Sequence, residues 1–462
     1  MAEVESSQQD STKANHIVVL VHGLWGNPIH LGHLHDTVLE HHAPALHVFT
    51  PQSNKDNFTY DGIDVGAERV TTEIEAEIKR LTDEGAHLEK ISIAGYSLGG
   101  LVARYVVGLL YKNGVFDTLE PCNFTTFATP HLGVRTPRLG YGPQTWNFLG
   151  SKTLSTSGQQ MFLTDSFRET GRPLLAMLAD TQSIFVKGLA TFKRKSIYAN
   201  TINDRSVPYY TSAITKTDPF VDLEEIEIHA LPDQEYPVVL DPDNPVSPRK
   251  EKPSKQLTFR ERYILSDKTK EALPFYTFLL GVLPLAVPLF LVNAGYQTYK
   301  SAQRVRLHEA GSLIDLKRYR IPLLENTQAV QDRMVERLAS ESTDRGGEDY
   351  LPTPPPEPLT DTSPSSSASN LPQTTTGASA PTMSPLARHH TRENKSSWPT
   401  LALTDEQFTM IDNLDTHVKF IKYPVHIQKV RHTHAAIVVR TPKETFVEGK
   451  EVSKHWMKNF VL

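Results

Sequence analysis

The feature that most constrains the fold of this chain is a five-residue turn, Gly95-Tyr96-Ser97-Leu98-Gly99, followed directly by Gly100. Before it, Ile91–Ala94 is short and largely apolar. After it, Leu98–Tyr111 is apolar and long enough for a helix. A strand that turns into a helix within so few residues needs glycine on both sides of the turn, because a Cβ there would keep the two elements apart. The serine between them is driven onto the apex. The first turn of the helix directs unpaired N–H groups and the positive end of its dipole toward the same spot.

The neighbouring sequence supplies a sheet for that turn to rest on. His16–Val21 reads HIVVLV, an apolar run without alternation, as expected of a strand buried on both faces. Ala45–Thr50, Asn123–Ala128 and Lys195–Asn200 read as further strands, and Val65–Leu81 as an amphipathic helix. Short buried strands alternating with helices predict an α/β fold with a mostly parallel sheet. Pro137–Asp180 is less regular and is expected to form a cap over the sheet. Late in the chain, Val425–Ile427 and Ala435–Val439 are expected as strand pieces and Ser453–Phe460 as a short closing helix.

Length and charge limit what this fold serves. The 462 residues leave room for one large domain of roughly 250–300 residues plus additions. A net charge of -5 argues against nucleic acid as a partner, since such binders carry a basic face. One cysteine, Cys122, excludes an intrachain disulfide, fits a reducing compartment and reads as a small core residue. Met1–Ala14 lacks a basic stretch followed by an apolar one, so no secretory signal is expected there and the location is read as intracellular.

The organisation expected along the chain is a disordered tail at 1–14, a catalytic core at 15–217, an insertion at 218–345, a second insertion at 346–400, and a return to the core at 401–462. Residues 346–400 are dense in Pro, Ser and Thr and are read as disordered, having too little apolar surface to order themselves. The first insertion holds an uncharged stretch, Ala272–Tyr299, with the apolar centre FYTFLLGVLPLAVPLFLV. That centre is long enough for a bilayer, but Pro274, Pro284 and Pro288 sit in or beside it. Lys268 and Lys270 precede it, and Lys300, Arg304 and Arg306 follow. Basic residues at both ends fit a re-entrant or surface-embedded segment better than a simple span. A buried core helix and a hydrophobic lid are the alternatives.

The chemistry follows from Ser97. A serine hydroxyl on such a turn is a nucleophile once a base removes its proton. Its plain alternative is an ordinary turn serine. A base held by a carboxylate is expected in the chain order serine, acid, histidine. For the acid, Asp204 follows the strand Lys195–Asn200, at the strand end where parallel-sheet sites lie. Asp165 is the rival, with a helix N-cap as its plain role. For the base, His434 precedes the small and apolar Ala435-Ala436-Ile437-Val438, and His432 stays open beside it. Two backbone N–H donors are needed for a developing oxyanion. Leu98 is one, and Leu24, in His22-Gly23-Leu24-Trp25-Gly26 after the first strand, is the other, unless that stretch is only a tight turn. His22 itself is read as structural. The early histidines His30, His33, His35, His41 and His42 lack a metal-site spacing. With no H-E-x-x-H and no phosphate-binding glycine loop, neither a metal nor an organic cofactor is expected.

Three stretches carry a family resemblance: HIVVLVHGLWGNPIHLGHL at His16–Leu34, ISIAGYSLGGLVARY at Ile91–Tyr105, and FTTFATPHLG at Phe124–Gly133. They resemble the lipase-like serine esterases of fungi and other eukaryotes, most nearly the fungal phospholipases of lipid droplets. The likeness covers residues 16–215 well and Arg431–Arg440 more weakly. It implies an α/β-hydrolase fold, with Gly95 and Gly99 as the glycines of its nucleophile turn, and hydrolysis of acyl esters in phospholipids or other lipids. Ser97, Asp204 and His434 match its nucleophile, acid and base. It also implies that the apolar segment attaches the enzyme to a membrane or lipid-droplet surface, with endoplasmic reticulum or mitochondrial membrane as alternatives. The Pro/Ser/Thr-rich stretch has no counterpart there. The competing expectations are an acyltransferase or thioesterase using the same three residues, and a catalytically inactive membrane-associated scaffold.

Overall fold

The computed structural model of the protein describes residues 14–42, 45–134, 155–249, 295–308 and 400–462, with 292 and 398. The apolar centre of 272–299 apart from Val292, and nearly all of 346–400, lie outside the described residues, as does the 1–14 tail apart from residue 14.

Six strands form one parallel sheet in the order β2-β1-β3-β4-β5-β8. They are β1 (His16–Val21), β2 (Leu46–Phe49), β3 (Lys90–Tyr96), β4 (Glu120–Phe127), β5 (Arg194–Asn200) and β8 (Ile421–Val425). The fold is that of the α/β-hydrolases, as the sequence led us to expect. The unbroken apolar character of β1 now has its cause. Ile17, Val19 and Val21 face one core, while Val18 and Leu20 face another on the opposite side of the sheet. Helices α2 (Ile63–Asp83) and α3 (Leu98–Lys112) cover the first face, and α1 (Gly32–His42) lies on the second. Three short helices, α4 (Ser155–Met161), α5 (Leu174–Leu178) and α6 (Ile184–Ala190), follow β4 and join the first core.

Strand β8 crosses from the far end of the chain to complete the sheet, pairing Ser196–Asn200 with Ile421–Val425 in register. It starts earlier than the apolar run at Val425–Ile427 suggests and includes Pro424. Proline is tolerated there because β8 is an edge strand. The edge is partly covered: His426 N–H donates to Val238 O and Leu240 N–H to Pro424 O. A small antiparallel pair, β6 (Ile226–Ile228) with β7 (Val246–Pro248), flanks this covering stretch.

Two expectations are corrected. Ala435–Val439 is not a strand. Thr433–Ala436 is one helical turn, numbered α9 after the helix of residues 295–308 (α7) and α8 (Asp405–His417), and Ile437–Val439 turns on from it. The run is apolar because it is buried against α10 (Val447–Lys458), whose Gly449 packs onto the backbone of Ala436. A short apolar run that is buried all round reads alike as strand or turn. The closing helix α10 also begins six residues before the expected Ser453.

Candidate active site

The turn after β3 places Ser97 in a strained conformation, φ 56° and ψ -129°. A non-glycine residue holds such angles only where its surroundings over-determine them. Here a Cβ at Gly95 would lie 2.5 Å from the Cα of Gly100, and one at Gly99 would strike the carbonyls of Val21 and His22. The close approach of β3, α3 and the end of β1 therefore depends on those glycines. Ser97 N–H donates to Phe127 O at 2.9 Å, tying the apex to the end of β4.

The structure brings Asp204 and His434 to Ser97. His434 Nδ1 is 2.8 Å from Asp204 Oδ2, and His434 Nε2 is 2.9 Å from Ser97 Oγ. A carboxylate only accepts, so Nδ1 carries the proton and Nε2 is left to accept from the serine hydroxyl. Asp204 is buried, and burial alone would push its carboxyl up. The His434 imidazole and hydrogen bonds from it, Asn200 and the Val207 amide outweigh that and hold the carboxyl below its ordinary value. Asn200 Nδ2 donates to Oδ2 at 2.9 Å, while the amides of Ser206 and Val207 donate to Oδ1 at 3.0 and 2.8 Å.

The other candidate acid and bases lie elsewhere. Asp165 accepts from Leu174 N–H at 2.8 Å at the start of α5, from nine residues upstream; the N-cap residue there is Pro173 and not Asp165. His432 stands just before α9 with its imidazole pushed down to about 4, by burial first and then by the charges of His434 and Arg440. His426 bonds Thr201 Oγ1 at 2.8 Å.

On the other side of Ser97 runs the loop after β1. A Cβ at Gly23 would lie 2.8 Å from Ser97 Cβ, so only glycine lets this backbone pass so close. The Gly23 carbonyl is turned away from the serine by two donors, Gly26 N–H at 3.0 Å and His22 Nδ1 at 3.1 Å. Burial lowers the His22 imidazole to about 4, so it stays neutral. Trp25, at φ 53°, donates its N–H to Thr59 Oγ1 at 3.1 Å. The Leu24 amide lies between these committed groups. Leu98 opens α3, where a backbone N–H has no intrahelical acceptor.

Three supporting residues were not legible in the sequence. Tyr96, the variable position of the turn, donates its hydroxyl to His434 O at 2.9 Å, and its ring lies 5.1 Å from the imidazole. Thr433 Oγ1 donates to Ile202 O at 2.9 Å, fixing the start of α9 beside the Asp204 loop. Asn200 closes β5 and steadies the carboxylate. A tyrosine, a threonine and an asparagine carry no signal of their own; Tyr96 and Thr433 gain a role through contacts across 338 and 231 residues, and Asn200 through one four residues along the chain. Among the described residues, no group of three or more His, Cys, Asp or Glu side chains is arranged to hold a metal.

With this geometry in view, residues 11–216 match the family described as "Putative serine esterase (DUF676)". The match covers 206 of the 462 residues, a little under half of the chain. Three fungal relatives described as putative lipases are similar to this chain. "Putative lipase ROG1" of Saccharomyces cerevisiae is 30% identical over 241 residues, covering 51% of this chain and 34% of that protein. A second Saccharomyces cerevisiae protein is 36% identical over 131 residues, covering 28% of this chain and 19% of its own length. A Schizosaccharomyces pombe protein is 27% identical over 212 residues, covering 44% and 26%. The chain thus spans about a third or less of the relatives it matches. Among the described residues, no helix is long and apolar enough to cross a membrane.

Proposed function

We propose that the protein hydrolyses acyl esters of lipids, phospholipids foremost, at a membrane or lipid-droplet surface, with Ser97 as nucleophile. The observation that carries the reading is the continuous relay from Asp204 Oδ2 through His434 to Ser97 Oγ, with contacts of 2.8 and 2.9 Å. His434 Nε2 takes the hydroxyl proton as Ser97 Oγ attacks the acyl carbonyl. Asp204 holds Nδ1–H and stabilises the imidazolium that forms. The amides of Leu24 and Leu98 receive the negative charge that develops on the carbonyl oxygen. Collapse expels the alcohol, which takes the proton from His434 and leaves an acyl-serine. Water, activated by the same imidazole, then releases the fatty acid and restores Ser97. No step calls for a metal or an organic cofactor.

The test measures fatty-acid release by the purified protein from phospholipid vesicles and triacylglycerol emulsions, beside Ser97→Ala. Release by the parent alone supports the reading. Equal inactivity of two folded proteins, together with no labelling of Ser97 by a fluorophosphonate, would overturn it in favour of an inactive scaffold. Labelling with an acylated acceptor as the product would make the protein a transferase.

A further inference from the structure

Residues 295–308 form a helix, α7, that packs the wrong way round for a soluble protein. Helices normally bury an apolar stripe and expose polar residues. Here the buried positions are Gln297, Ser301 and Arg304, at 3%, 0% and 2% exposure. Tyr296 and Tyr299 point outward at 38% and 68%. Arg306 is exposed beside them, and the Lys300 ammonium lies 5.8 Å from the centre of the Tyr296 ring.

The inner face is held by charge. Arg304 donates to Asp61 through Nε at 2.9 Å and Nη2 at 2.6 Å, and through Nη2 to Asn57 O at 3.0 Å. Arg69 grips the same carboxylate through Nη1 at 2.9 Å. One turn further along, His308 Nε2 contacts Glu68 Oε2 at 2.8 Å. Asp61 follows the turn containing Thr59, whose hydroxyl accepts the amide of Trp25, two residues after the Gly23 that packs against Ser97. The helix is therefore clamped to the wall that carries one side of the candidate active site.

We propose that the outer face of α7 rests on a lipid surface bearing anionic phospholipid headgroups, and that the Arg304–Asp61 clamp holds that surface beside Ser97. This deepens the lipid-ester reading and rests on it. The occupant follows from the chemistry of the face. Tyrosines with an apolar ring and a polar tip settle at membrane–water interfaces, and lysine and arginine at the same level attract anionic headgroups. The uncharged stretch Ala272–Tyr299 runs into this helix, so the apolar sequence and the cationic face are continuous along the chain.

The experiment measures binding of the full chain, carrying Ser97→Ala so that no lipid is consumed, to phosphatidylcholine vesicles with and without phosphatidylserine. Lys300→Glu/Arg306→Glu is expected to weaken binding to the anionic vesicles by at least about 10-fold while changing binding to neutral vesicles little. Tyr296→Ser/Tyr299→Ser is expected to weaken both. Tyr296, Tyr299 and Arg306 are exposed and Lys300 is half-buried, and the thermal unfolding midpoint checks that each variant is folded. Unchanged binding by both folded double variants overturns the proposal. Because the measurement uses an inactive protein, that failure is distinct from failure to release fatty acid by the parent.

Discussion

Two buried aspartates tie together distant parts of this chain. Asp204 reaches His434 across 230 residues, and Asp61 reaches Arg304 across 243. Their partners differ in one physical respect. Asp204 is surrounded by amide donors and one imidazole, a ring whose second nitrogen can accept a proton. Asp61 lies between two guanidinium groups, Arg69 and Arg304, which only donate hydrogen bonds and offer no site to accept a proton. In the proposed mechanism the first arrangement takes the hydroxyl proton of Ser97. The second only holds structure in place. A buried carboxylate by itself therefore says nothing of catalysis; the proton-transfer capacity of its partner does.

This contrast breaks if the two aspartates respond alike to amide replacement. The largest effect is expected from Asp204→Asn. It keeps the shape but disturbs the tautomer of His434, and should lower kcat on a soluble ester by about 10⁴-fold. Asp61→Asn should act on stability instead, costing about 3–5 kcal/mol by denaturant unfolding, because two buried guanidinium groups lose their counter-charge. A loss of rate with no change in the unfolding midpoint would remove the distinction. Next comes Gly23→Ala, whose methyl group meets Ser97 Cβ. It should displace the Leu24 amide and lower kcat by about 10²–10³-fold, with the fold retained by circular dichroism.

Smaller effects sharpen the comparison on the proton side. Burial lowers the His426 imidazole from 6.5 to about 4. Below 6.5 the unfolded chain takes up a proton that the folded state refuses, so stability falls as the pH drops from 6.5 to about 4. His426→Gln should reduce the slope of unfolding free energy against pH in that window by about 1.4 kcal/mol per pH unit at most. An unchanged slope would mean that this imidazole is protonated in the folded state. The smallest effect is expected from Tyr96→Phe, which removes the hydrogen bond to His434 O. It should cost about 1 kcal/mol in stability and lower kcat by less than about 10-fold. A loss as large as that of Asp204→Asn would show that the tyrosine does more than steady α9.

Much of this protein was legible from local sequence, wherever a short stretch carries its own physical demand. Gly95, Gly99 and Gly100 mark a backbone crossing that tolerates no Cβ, and that crossing announces Ser97. The unbroken apolar run of β1 announces a strand covered on both faces, and the short strands alternating with helices announce a parallel sheet. Asp204 was readable because a strand end precedes it, and His434 only through its position in the chain and the family likeness. The stretch after His434 misled, because its burial comes from α10 and not from neighbours in a sheet. What only the tertiary structure decided is which groups meet: Tyr96 with the His434 backbone, Asn200 with Asp204, and Arg304 with Asp61. A polar side chain states what it can bond to, but nothing in a linear sequence tells which of many equivalent partners will lie within 3 Å of it. That is settled when the sheet closes and burial forces every polar group to find a partner or bear the cost of lacking one.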